Sequence, residues 1–235
     1  MILPYVLIIL MILAWSFNFI VADFAMDYVP PLAFSFYRFL VASVSFLILE
    51  LFLKFRKNSD GESGEVAREG RFSRQEWILI ITASFIGQSF YFLTLYGSVS
   101  LIGPSLPALT VCLLSPVIIS ILALFVFDEK LNRKKILGFI IASLGGFLLI
   151  TGGDLGVLAP DSPNFLGYLF AVLTPLQWAL YSTLTKKITK TASTFKMLKM
   201  VTYLATLELG VFVLLNGDLA PFLEYLFDPF IVLCA

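Results

Sequence analysis

A run of 51 residues without a charged side chain, residues 77–127, constrains this fold more than any other feature. An α-helix crosses the roughly 30 Å hydrocarbon core of a bilayer with about 20 residues, so the run suits two crossings rather than one. Glycine and proline interrupt it near the middle, at Gly97, Gly103, Pro104 and Pro107. Because these residues break helices, the run predicts two membrane spans, over about 77–97 and 104–127.

Five further apolar segments raise the number of predicted spans to seven; they cover 2–22, 32–53, 135–152, 165–185 and 197–216. The chain is 59% apolar and 14% charged, whereas soluble domains are about 45–50% apolar and about 25% charged. No soluble core buries so much apolar surface, so we predict an all-α, multi-span helical bundle whose solvent is lipid. The first segment lacks the basic start and cleavage site of a signal peptide and is expected to stay as a helix.

Charge alternates between successive connections. Fifteen of the sixteen basic residues fall in the connections at 54–76, 128–135 and 186–199, which we call the basic side. The other connections, which we call the acidic side, contain no lysine or arginine, and all but 98–103 contain aspartate or glutamate; they are 23–31, 98–103, 153–164 and 217–228. The positive-inside rule predicts that the basic side and the N-terminus are cytoplasmic, in a multi-pass protein of the plasma membrane.

Composition also excludes several functions. The chain has no histidine, and its two cysteines, Cys112 and Cys234, lie in apolar surroundings, so we expect neither a metal site nor a bound cofactor. A net charge of zero argues against nucleic-acid binding. No catalytic cluster appears in the sequence, and we do not expect an enzyme. A seven-helix receptor and a membrane-embedded enzyme remain open as alternative functions.

The pattern of the first span restarts in the sixth. Trp15 lies in the sequence Leu-Ala-Trp-Ser-Phe-Asn, and Trp178, 163 residues later, lies in Leu-Gln-Trp-Ala-Leu-Tyr. Because five spans precede the restart, a second copy enters the membrane upside down, as in inverted-repeat transporters. We therefore predict a first five-helix repeat over 1–152 and part of a second over 165–235. If the second copy also has five helices, the chain is a C-terminally truncated form of a ten-helix protein.

Several short motifs, in this order, resemble the EamA-type members of the drug/metabolite transporter superfamily. They are Trp15–Asn18; Pro31 followed by Tyr37–Ala42; Leu114–Val117; Phe127–Leu131; Gly138 with Gly145 and Gly146; and Trp178 with Ala179. The resemblance covers essentially the whole chain. It departs from the family in the missing last helices and in Tyr181, which stands where the repeat matches Asn18. The resemblance implies an exporter or permease of small metabolites or drugs, with ten helices in two repeats.

Two ionisable side chains lie at membrane depth, where a charge costs roughly 2.5–3.5 kcal/mol on insertion scales. Arg38 stands seven residues into the second span, about 10 Å deep. It is a candidate contact for an anion in the substrate path, or else a structural arginine. Glu208 lies near the middle of the seventh span, where burial favours its protonated form, as proton coupling requires. The alternative is a neutral, hydrogen-bonded structural glutamate.

Uncharged polar and aromatic side chains recur at helical spacing and predict the walls of a substrate cavity. Such walls suit a small amphipathic metabolite, although interhelical packing in any membrane bundle uses the same residue types. The candidates are Trp15 and Asn18 in the first span, Gln88 and Tyr91 in the third, and Gln177, Trp178 and Tyr181 in the sixth. Rocking of the two repeats about this cavity is the expected transport mechanism.

Overall fold

The structure, a computed structural model, describes residues 3–59, 72–127 and 132–234. All regular structure within these residues is helical, which confirms the predicted all-α, multi-span class. Most of the connection at 54–76, and the Asp128–Leu131 part of the fourth-span motif, lie outside the described residues.

Each predicted span corresponds to a helical segment. The long elements are α1 (Leu3–Met26), α2 (Pro31–Ser59), α3 (Arg74–Ser84), a π-helical turn (Phe85–Phe90), α4 (Tyr91–Ile102), α5 (Ser105–Phe127), α6 (Arg133–Thr151), α7 (Phe165–Ile188) and α8 (Thr194–Asn216). A 3₁₀ turn (Leu155–Leu158) follows α6, and two short helices follow α8: α9 (Leu219–Glu224) and α10 (Pro229–Cys234).

The third crossing is longer than the sequence predicts. Helix α3, the π turn and α4 form one rod, Arg74–Ile102, of 29 residues. The predicted break at Gly97, and the connection predicted over 98–103, are wrong because the rod continues to Ile102. A Cβ atom at Gly97 would lie 2.9 Å from the Phe170 ring, so this glycine permits close packing on α7 instead of ending the helix. The chain turns at Gly103, whose φ is +78°, ahead of Pro104.

In the part of the chain that the structure describes, six helical segments are long and apolar enough to cross a bilayer. The segment that falls short is the predicted fifth span, whose apolar part is Ile136–Thr151. Helix α6 packs mainly on α5 and exposes most of its apolar side chains. Helix α1 is also peripheral, because the side chains from Leu3 to Phe17 are all exposed. Lipid is the natural solvent for such surfaces.

Helix α7 packs against several other helices of the bundle. It packs most extensively against α5 and α4, while α8 packs against α2 and α3. The largest buried cluster joins the acidic-side halves of α1 and α2 to α4. On that side α9 folds back over α2, where Phe222 packs on Phe36, and the Tyr37 hydroxyl donates a hydrogen bond of 2.8 Å to the carbonyl of Leu226. These contacts fix α2, and therefore Arg38, relative to α1 and α4.

Candidate functional site

Arg38 joins three helices at membrane depth. Helix α2 begins at Pro31. The backbone N–H of a first helical residue has no partner within the helix, so proline, which lacks this group, suits the position. From that start Arg38 lies about 10 Å along the helix. Its Nη1 donates to the Asn18 amide oxygen on α1 and to the Tyr96 hydroxyl on α4. The guanidinium also lies 5.8 Å from the centre of the Phe34 ring and 5.9 Å from that of Tyr96.

A cleft of about 290 Å³ opens beside this arginine. Helices α1, α2, α4 and α7 surround it, and the π turn lies next to it along the chain. Its walls are Ala14, Trp15, Asn18, Arg38, Tyr91, Phe92, Leu95 and Trp178. Five of the nine side chains predicted from the sequence therefore meet at one cleft. The charged Arg38 and the polar Asn18 stand among aromatic and aliphatic side chains, and a mainly apolar cavity with a few polar groups is the usual composition of small-molecule sites.

Trp178 is the centre of the aromatic wall. Its ring lies 5.8 Å from Trp15, 5.3 Å from Tyr91 and 5.5 Å from Tyr181, measured between ring centres. These separations are within the range in which tilted aromatic pairs attract each other. The wall therefore connects α1 to α7 and α4 across the cleft.

The other four predicted residues, which are Gln88, Gln177, Tyr181 and Glu208, stand outside the cleft lining. Gln88 lies next to the Tyr181 hydroxyl, and both residues are 9% exposed. Gln177 accepts a 2.6 Å hydrogen bond from the Thr94 hydroxyl and so belongs to the packing of α7 on α4. The structure places Gln88 and Tyr181 behind Trp178, and Gln177 in a helix–helix contact.

Glu208 forms a second polar cluster. Its Oε2 accepts hydrogen bonds from Ser84 at 3.1 Å and from Ser89 at 2.6 Å, at the two ends of the π turn. Both serines are fully buried. The hydrogen bonds of Glu208 come from these serines, and those of Arg38 go to Asn18 and Tyr96, so the two ionisable side chains belong to separate clusters.

Sequence reasoning missed two partners of the charged groups, Ser89 and Tyr96. In an α-helix, residues five apart point about 140° away from each other, so Ser84 and Ser89 do not share a predicted face. The π turn uses i→i+5 bonds, which brings the two serines to the same carboxylate. Tyr96 lies five residues after Tyr91 and falls outside the polar stripe for the same reason of spacing. No signal in the sequence revealed the π turn.

A larger cavity of about 500 Å³ lies at the acidic side between α2, α4, α7 and α8. Its walls are mainly apolar, with Asn216 and Asp218 among them. Within residues 3–59, 72–127 and 132–234, no group of three or more acidic or cysteine side chains is placed to hold a metal ion. The cleft at Arg38 is a better candidate site than this larger cavity, because it combines a cation at membrane depth with aromatic walls.

An apolar helical bundle with a polar, aromatic cleft at mid-depth has the architecture of a membrane transporter. Residues 2–151 match the EamA-like transporter family, and the chain belongs to that family. The family is one of multi-pass membrane transporters, and it points away from an enzyme.

A curated relative, the uncharacterized transporter YrdR of Bacillus subtilis (strain 168), is 25% identical over 173 residues. The match covers 72% of this chain and 50% of the relative, so the chain spans about half the length of the relative it matches. No solved structure matches the chain.

Proposed function

We propose that the chain forms the substrate path of an alternating-access carrier for small amphipathic metabolites that bear a carboxylate. The observation that carries this proposal is the position of Arg38, a cation at membrane depth on the wall of an aromatic cleft. A guanidinium matches a carboxylate because it presents two parallel N–H donors. The indoles of Trp15 and Trp178 suit the apolar body of the same molecule.

The second part of the proposal is an inverted pair of repeats. Trp15 and Trp178, in ring contact, are separated by 163 residues, and so are Ser43 and Thr206, whose hydroxyls lie 2.7 Å apart. One pair joins α1 to α7 and the other joins α2 to α8. A two-fold axis between two copies brings equivalent residues together near the axis, so one offset in two helix pairs supports this symmetry. Rocking of the copies about the cleft would expose it to each side in turn.

Orientation is the third part. We infer that the basic side faces the cytoplasm in the plasma membrane, with the N-terminus on that side. The interfacial lysines suit this position: Lys199 pairs with Glu50 at 3.1 Å, and Lys186 and Lys190 lie 4.3 and 4.6 Å from the centre of the Phe127 ring.

Matched ligands test the substrate class. We would measure thermal shifts of the purified protein with phenylacetate, hexanoate and N-acetylleucine, and with the primary amide of each. Nucleosides and cationic drugs represent other classes. The carboxylates are expected to raise the melting temperature and the amides to leave it unchanged, because only a carboxylate pairs with the guanidinium.

Variants separate the role of Arg38 from a structural one. Arg38→Gln is expected to weaken carboxylate binding about tenfold or more, since hydrogen bonds to charged groups contribute about 1.5–3 kcal/mol. Arg74→Gln, which removes an exposed arginine at the start of α3, serves as the control. A folded Arg38→Gln protein with unchanged carboxylate shifts, or shifts with cationic drugs alone, would overturn the carboxylate proposal.

A further inference from the structure

The cluster around Glu208 contains three short polar contacts between four oxygen atoms. Ser84 Oγ lies 3.1 Å from Glu208 Oε2 and 3.2 Å from the carbonyl oxygen of Val201. Ser89 Oγ lies 2.6 Å from the same Oε2. Ser84 and Ser89 are both 0% exposed, so water has no ready access to their hydroxyls. The cluster joins α3 and the π turn to α8 near the middle of two crossings.

A count of hydrogens shows what this cluster lacks. A serine hydroxyl carries one hydrogen, while a carboxylate and a carbonyl are acceptors only. With Glu208 ionised, two hydroxyl hydrogens must serve three contacts, and Ser84 can donate to Val201 or to Glu208 but not fully to both. One pair of oxygen lone pairs then faces another without a hydrogen between them, which is costly where water is excluded.

One added proton satisfies every contact. With hydrogen on Oε2, Glu208 donates to Ser84, Ser84 donates to the Val201 carbonyl, and Ser89 donates to Oε2. We propose that Glu208, with Ser84, Ser89 and the Val201 carbonyl, forms a proton-binding site that is occupied in this arrangement of α3 and α8. The site is distinct from the Arg38 cleft, since the two clusters share no hydrogen-bond partner among those described here.

Charged neighbours do not account for the cluster. Helices α2 and α3 and the π turn pack against α8. Within the described side chains, the titratable groups of α2, α3 and α8 besides Glu208 are Tyr37, Arg38, Glu50, Lys54, Arg74, Glu76, Lys196, Lys199 and Tyr203, and the π turn has none. Glu50 pairs with Lys199 and Lys54, and Glu76 accepts from Thr191, all towards the basic side. Among the described residues, the hydrogen bonds to Glu208 come from the two serines.

The π turn gives the proton a structural consequence. Ser84 and Ser89 reach one carboxylate only because the turn places residues five apart on the same side. When the proton is lost, Ser84 faces either the Val201 carbonyl or Glu208 without a hydrogen between the two oxygens. Separation of α3 from α8 would relieve this repulsion. In the carrier, this would link proton release to movement of the two helices, a consequence that rests on the proposed function.

Infrared spectroscopy tests the site without substrate or transport. We would titrate the full chain in lipid bilayers and record the carbonyl band of protonated carboxylic acids. A band that persists at neutral pH is expected, absent in Glu208→Gln and retained in the exposed control Glu224→Gln. The glutamine amide can donate to Ser84 as the acid does, so Glu208→Gln is expected to fold.

A second variant keeps the test decisive if Glu208→Gln fails to fold. Ser89→Ala removes a donor that favours the carboxylate, so the acid band is expected to persist to higher pH than in the unaltered chain. A neutral-pH spectrum in which Glu208→Gln removes only carboxylate bands would overturn the proposal. So would loss of the acid band on adding sodium at constant pH, which would indicate a metal-cation site. Either failure leaves the carboxylate-binding tests of Arg38 unaffected.

Discussion

The hydroxyls of Ser43 and Thr206 lie 2.7 Å apart at the crossing of α2 and α8. Thr206 also lies 3.0 Å from the Phe39 carbonyl on α2. Side-chain hydrogen bonds between membrane helices average about 0.6 kcal/mol, with a maximum of about 1.7 kcal/mol, in double-mutant cycles. This contact therefore holds the two helices in register without making them immovable, which suits the proposed rocking of the repeats.

A double-mutant cycle measures that contact. Ser43→Ala and Thr206→Val are each expected to lower the free energy of unfolding, with a coupling energy of about 0.6–1.7 kcal/mol between them. The matched control is Ser45→Ala with Thr202→Val on the same helices, because these hydroxyls bond carbonyls of their own helix. Additive effects in the first pair, or equal coupling in both pairs, would contradict a direct Ser43–Thr206 bond.

Topology is testable with two single cysteines in a chain whose Cys112 and Cys234 are replaced by alanine. The substitutions are Gln75→Cys, at the start of α3 on the basic side, and Asp161→Cys, in the connection before α7. Both positions are exposed. A membrane-impermeant maleimide added to intact cells is expected to label Asp161→Cys and to reach Gln75→Cys only after permeabilisation. Labelling of both from one side would contradict the alternating topology and the inverted repeats built on it.

Tryptophan fluorescence locates the ligand. The chain has three tryptophans: Trp15 and Trp178 line the cleft, and Trp77 packs against Phe72 near the start of α3, with ring centres 5.5 Å apart. A variant that keeps Trp178 and has phenylalanine at the other two positions is expected to change its emission when phenylacetate is added, because the ligand changes the surroundings of this indole. The corresponding variant that keeps Trp77 is expected to show no change. A response from Trp77 and none from Trp178 would move the binding site away from the cleft.

The sequence predicts the faces of helices better than the way those faces meet. Trp15, Asn18, Arg38, Tyr91 and Trp178 were found because helical periodicity and membrane depth depend on local sequence. Their neighbours in space depend on long-range packing. Gln177 has the same spacing as Trp178, but it bonds to Thr94 instead of lining the cleft. Ser89 was missed because one π turn changes the periodicity of a whole crossing. Gly97 predicted a break because glycine at a close helix contact and glycine at a turn look alike in sequence.

Close packing at Gly87 gives the last prediction. A methyl group added there would overlap the Cβ and ring of Tyr181 on α7. Since Tyr181 also contacts Trp178, with ring centres 5.5 Å apart, the displacement is transmitted to the aromatic wall of the cleft. Gly87→Ala is expected to lower the free energy of unfolding by about 1–3 kcal/mol, the usual cost of overpacking, and to weaken ligand binding with it.

Gly138→Ala on α6 is the matched control, because an added methyl group there meets no atom within 4 Å. Alanine also has the higher helix propensity, by about 1 kcal/mol at an exposed interior position, so this variant is expected to be neutral or slightly stabilised. Melting temperatures in the same lipid and ligand thermal shifts provide both measurements. If Gly87→Ala melts and binds like Gly138→Ala, the close approach of the π turn to α7 is wrong. Such a result would also contradict the position of the aromatic wall, because Gly87 sets the distance between Tyr181 and the turn that carries Gln88 and Ser89.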